Sequence, residues 1–167
     1  MQPTHLDNLF LSQCIELSSR SLFEVGFTPF GAIVVRDGLE IARGTSAVME
    51  LHDATAHAEV LALRNAGAVL QNHLMEGATM YCSGEPCPMC LVACYWAGIE
   101  RIVCAATVED SETAGFEDKL YYSELRKDPK GRRIQIVFGG EDAHAAAREV
   151  LVGWKNRHEA NDALDPR

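Results

Sequence analysis

The chain has 167 residues, 47% of them hydrophobic and 23% charged, which suits one domain with a full core and excludes a disordered polymer. A formal net charge of −9 sets the average surface against a polyanion, so a small uncharged substrate is expected and nucleic acid is not. No apolar run reaches the roughly 18 residues of a membrane span, and MQPTHLDNLFLSQC, with Asp7 among its apolar residues, does not read as a secretory signal. These features predict a cytoplasmic protein, without membrane attachment, whose six cysteines stay reduced.

Leu6, Leu9, Phe10, Ile15 and Leu17 recur at helical spacing from residue 5 to about 20, behind Thr4 as an N-cap. PFGAIVVRDGLEIARGT reads as a hairpin turned at Asp37-Gly38. Val60, Leu61, Leu63 and Leu70 mark a second helix from Ala56, with Thr55 as its cap. ATMYCS, residues 78 to 83, is a strand; a third helix runs from Pro88 to Ala97 and stops at Gly98; RIVCAAT, 101 to 107, is a fourth strand. A loop with Gly115 leads to a short helix at 118 to 125, then to RKDPKGRR, a fifth strand IQIVF and a last helix after Asp142, with Ala143, Ala147, Val150, Leu151 and Trp154 on one face. This order predicts an α/β fold, a mixed five-stranded sheet covered by helices on both faces, in a single domain over residues 1–167. Residues 155–167 are expected as a lid, an exchanged segment or a mobile tail.

Cys87 and Cys90 lie at the entry to the third helix, where a spacing of three brings both sulfurs to one side of the first turn. The helix N-terminus favours thiolates there, and two thiolates make half of a zinc site. His57, at the start of the second helix, completes three ligands if both helices begin at the same sheet edge. Three protein donors leave a fourth position open, which separates a catalytic zinc from a structural one, and Glu59 sits two residues from the histidine. Two other readings stay open. His52 and His57 could join both cysteines in a closed structural zinc module, and C-x-x-C could be a redox pair.

His57-Ala58-Glu59 together with Pro86-Cys87-Pro88-Met89-Cys90 matches the H-x-E and P-C-x-x-C pattern of zinc nucleobase deaminases. With PFGAIVVRDG, DATAHAEVLALR, EPCPMCLVACYWAGI and AGFEDKLYY in order, the chain resembles the cytidine deaminase-like superfamily over about residues 28 to 125, and within it the small guanine deaminase branch. The resemblance implies a three-layer αβα sandwich, one zinc ion per subunit on His57, Cys87 and Cys90, Glu59 as the proton shuttle, and a homodimer. It also implies a free nucleobase as substrate, with Asp118 accepting a ring N–H, and Phe30, Ala58, Trp96 and Phe116 near the pocket. Ser46 stands where that branch usually has asparagine, and no aromatic residue follows Trp154. Isocytosine, ammeline or cytosine therefore stand beside guanine, and tRNA adenosine deamination is the nearest alternative, with RKDPKGRR as its phosphate-tracking segment or simply a solvated turn.

Overall fold

The structure, a computed structural model, describes residues 2–162. The chain divides after Arg126 into two compact units. In the first, α1 (His5–Ser18) is followed by the hairpin β1 (Gly31–Arg36) and β2 (Leu39–Thr45), the short α2 (Val48–Leu51), α3 (Ala58–Leu70), β3 (Thr79–Gly84), α4 (Pro88–Trp96), β4 (Arg101–Ala106), α5 (Val108–Thr113) and α6 (Asp118–Arg126). The hairpin turn carries positive φ at both Asp37 and Gly38, the backbone that matches the twist of the strands it joins.

The sheet has the order β2-β1-β3-β4. Because β1 is antiparallel to β2 and β3, while β3 and β4 are parallel, β2, β3 and β4 all run the same way. Their C-terminal ends, and the start of β1, therefore share one edge, from which α3, α4 and α5 set out. Period-two alternation sorts the side chains: Ile33, Val35 and Tyr81 meet Phe10, Leu11 and Leu17 of α1, whereas Ala32, Val34, Met80 and Cys82 meet α3 and α4. The three layers expected from the sequence are present. The sheet, however, has four strands among the described residues, not five. Residues 134–138 form no strand, and Ile134, Val137 and Phe138 are exposed. Alternating apolar residues favour extended backbone, but a strand also needs a neighbouring ladder to satisfy its amides and carbonyls.

The second unit contains a 3-10 turn at Pro129–Gly131, the extended stretch just named, and α7 (Glu141–Asp162). Asp128 caps the 3-10 turn by accepting from the Lys130 amide, so RKDPKGRR is a capped turn following the end of α6. Residues 155–162 continue α7; the remainder of the expected lid or tail lies outside the described residues.

Two contacts fix the first unit. Asp7 is buried on α1 at 1% exposure and accepts from Arg101 of β4 at 2.7 and 2.9 Å, from the Tyr81 hydroxyl at 2.7 Å, and from Thr4 in a capping box. The Arg101 guanidinium above all holds the Asp7 carboxyl well below the usual carboxylate range, against the opposing effect of burial. A depressed folded pKa gives stability that is complete above the unfolded value near 3.9 and is lost as pH falls below it. Asp7→Asn is expected to cost about 3 kcal/mol at pH 7, the lower end for breaking a buried pair because Arg101 is partly exposed. Urea unfolding should show the gap between variant and native protein narrowing below about pH 4; a constant gap would separate the ion pair from the effect.

Gly44 makes the second contact, between β2 and α3. A Cβ there would lie 2.3 Å from the Ala58 carbonyl oxygen and 2.6 Å from the Ala62 nitrogen, both backbone atoms that cannot swing aside. Gly44→Ala should lower stability by about 3 kcal/mol, roughly 6–12 °C in melting temperature, by prising away the helix start that carries His57 and Glu59. Thermal melting reads this directly.

Candidate metal centre and active site

His57 occupies the N-cap of α3 and Cys87 the N-cap of α4, each with extended backbone, so the first turn of each helix opens at the shared sheet edge. Thr55 does not cap α3, contrary to the expectation; its hydroxyl instead bonds Asp53 at 2.6 Å, in the turn that leads to His57. Pro88 follows at the first position of α4, where its missing N–H costs nothing. These local choices bring a donor atom each from His57, Cys87 and Cys90 within 4.8 Å of one another.

The Cys87 Sγ to His57 Nδ1 separation is 3.6 Å. Two ligands on a tetrahedral zinc, with Zn–S near 2.3 Å and Zn–N near 2.0–2.1 Å, would be about 3.6 Å apart. The spacing and the imidazole-dithiolate donor set both fit zinc. Cys90 is fully buried and Cys87 nearly so, with His57 half-buried. The Cys87 thiol is made far more acidic, to about 4, first by the hydrogen bond from Cys90 and also by His57. The bond to Cys87 and burial push the Cys90 thiol up, and the bond to Cys87 likewise raises His57. His52 is exposed at the end of α2 and is not in the cluster; among the described residues no fourth protein donor joins these three. That geometry speaks against the closed zinc module, and the imidazole beside Cys87 speaks against a simple redox pair.

Glu59, in the first turn of α3, is 5% exposed. Burial raises its pKa, while its own backbone amide and the Cys90 thiol hydrogen-bond the carboxylate and oppose that rise. An acid so enclosed beside the donors can trade a proton with whatever enters between them. Ala58, at the first position of the helix, is buried, and its carbonyl meets Gly44. Asp118 opens α6, half-buried, its pKa raised by burial and by the Cys87 charge, and lowered by His57. Phe30, just before β1, packs edge-to-face on Phe116 with ring centroids 4.8 Å apart. Ser46 follows the end of β2 and is 2% exposed. Trp96 does not reach this edge: it ends α4, 80% exposed, six residues and about 9 Å of helix rise beyond Cys90.

Two residues were not legible as part of this edge. The Tyr122 hydroxyl donates to the Pro86 carbonyl at 2.8 Å, tying α6 to the loop before Cys87. Thr28 bonds Ser46 across 2.5 Å. Both contacts join segments far apart in sequence, where periodicity carries no signal.

Residues 4–106 match the family described as the cytidine and deoxycytidylate deaminase zinc-binding region. Guanine deaminase of Bacillus subtilis (strain 168) is 41% identical over 150 residues, 90% of this chain and 96% of that protein. The crystal structure of guanine deaminase from Bacillus subtilis superposes with a TM-score of 0.83 at 36% identity, covering 92% of this chain and 95% of that one. A tRNA-specific adenosine deaminase of Aquifex aeolicus is 39% identical over 97 residues, 58% of this chain and 64% of the relative. The clustered His57, Cys87 and Cys90, the buried Glu59 beside them and this match over most of the first unit agree, and the chain belongs to the cytidine and deoxycytidylate deaminase zinc-binding family.

Proposed function

We propose that the protein hydrolyses the exocyclic amine of a free nucleobase, guanine before others, giving xanthine and ammonia, with His57, Cys87 and Cys90 holding one zinc ion per subunit. The observation that carries this is the meeting, at one sheet edge, of three metal donors with a buried carboxyl. Zinc there supplies Lewis acidity, which brings the ionisation of water from 15.7 to about 7. Glu59 is the proton carrier: its carboxylate takes a proton from the attacking water and delivers it to the ring nitrogen, then takes the proton of the newly added hydroxyl group and passes it to the departing amine, leaving the carbonyl. Burial suits that role, since it makes the carboxylate a stronger base than a solvent-exposed one.

Asp118 faces the same edge and can accept a ring N–H in a charge-assisted bond, which guanine offers. Cytosine has a bare acceptor at the corresponding ring nitrogen and would be repelled. Phe30 and Phe116 supply an apolar wall for the base. The likeness to a guanine deaminase over most of both chains supports the same choice. The test is ammonia release by the zinc-loaded protein over guanine, cytosine, isocytosine, ammeline, adenine and their nucleosides. Guanine should turn over fastest. Faster release from isocytosine or ammeline would move the substrate, and none from any base would overturn the reading.

The same reading takes the protein as a cytoplasmic homodimer. Six unpaired thiols fit a reducing compartment, and Val92, Tyr95 and Trp96 leave an apolar, aromatic face of α4 exposed that suits a subunit contact.

A further inference from the structure

We infer that Thr28 determines base specificity, acting through Ser46 as a two-hydroxyl recognition unit. The inference rests on the nucleobase reading above and adds a residue to it. Thr28 and Ser46 lie at the edge where the donors gather. Ser46 directly follows β2, and the amide of the next residue, Ala47, donates to the carbonyl of Ala56, which precedes His57. Ser46 also donates its own amide to Phe30, whose ring meets Phe116 two residues before Asp118. Backbone bonds and one ring contact thus tie segments 28–30, 46–47, 56 and 116 together at the edge where Ser46 sits.

The backbone accounts for itself without help from the hydroxyls: Thr28 N–H donates to the Ser46 carbonyl at 3.2 Å, and Phe30 N–H to the Thr28 carbonyl at 2.7 Å. The bond between the two side chains, at 2.5 Å, is additional. Two hydroxyls hold two hydrogens, and their mutual bond uses one. With Thr28 donating, the Ser46 hydrogen is left over, and donation into its oxygen makes it a better donor. Ser46 is buried, and among the described residues no protein acceptor takes that hydrogen. A buried donor left without an acceptor is costly, and a base carbonyl or ring nitrogen entering the site would satisfy it. The pair therefore selects a base that presents one acceptor there. Thr28 touches Ser46 and is a positioning residue: it fixes the direction in which Ser46 donates.

Steady-state kinetics on the preferred base test this. Thr28→Val, nearly isosteric but without the hydroxyl, should raise KM about tenfold, the worth of one such hydrogen bond, with kcat and zinc content held. Thr28→Ser should restore KM. In a Ser46→Ala background, Thr28→Val should add no further effect, because the unit is already broken. An unchanged KM in Thr28→Val, an undiminished effect in the Ser46→Ala background, or failure of Thr28→Ser to rescue would each overturn the inference while leaving the nucleobase reading intact. Absence of turnover by the native protein on every base would overturn both.

Discussion

Glu59→Gln should hold one zinc per chain yet lose turnover by roughly 10³-fold, within the range that positioned proton transfer contributes to catalysis. The two side chains have nearly the same shape, so the buried pocket at the start of α3 is kept. The amide cannot take up and return a proton, and one carboxyl is asked to serve more than one transfer in the same turnover. In the metal-free protein, burial raises the Glu59 pKa, so the charged carboxylate is less favourable in the fold than in water. Glutamine removes that charge, so the melting temperature should stay level or rise while activity collapses, the usual sign of a group retained for chemistry. Metal analysis, melting and kinetics on one preparation make the check. A fully active variant would reject the proton-carrier role, and a variant that is inactive because it lacks zinc would make Glu59 part of the metal site.

Much of this site was legible because its information is local. H-x-E and P-C-x-x-C each sit at a helix start, and the run of strand followed by helix after both β2 and β3 predicts that the two starts share an edge. The hairpin was legible for the same reason, since Asp37-Gly38 specifies a turn by its own backbone preferences. What the sequence misplaced depends on distant partners. IQIVF has strand-like alternation, but nothing in five residues says whether a ladder lies beside them. Trp96 shares a helix with the ligands, and only helix rise, not proximity in sequence, decides that it stands at the far end. The Asp7, Tyr81 and Arg101 network joins residues 74 and 94 positions apart from Asp7, and its one sequence sign was an acidic residue inside an apolar helix face. Helix α5 has little apolar periodicity, yet Thr107 and Asp110 form a capping box that the T-x-x-D spacing could have announced.

Cys90→Ala should abolish stoichiometric zinc binding and activity together, and so separate the donors from the proton carrier. Cys90 is fully buried, and among the described residues the trio is the one set of three donor atoms that lie mutually within 4.8 Å. Its loss leaves one imidazole and one cysteine sulfur, and removes the hydrogen bond that is the largest cause of the lowered Cys87 pKa. Two donors on separate helices make a poor zinc site, because the thiolate must stay deprotonated and the geometry must be held by the fold. A ligand that binds only the folded chain stabilises it by mass action, so a chelator should lower the melting temperature of native protein and of Glu59→Gln by the same amount. It should leave Cys90→Ala unmoved, since that variant has no bound ion to lose. The pattern across three proteins is what a non-catalytic zinc module cannot reproduce: one variant keeps metal and loses turnover, the other loses both. Retention of one zinc per chain by Cys90→Ala, with chelator sensitivity intact, would show that the ion sits elsewhere and would remove the basis for the proposed chemistry.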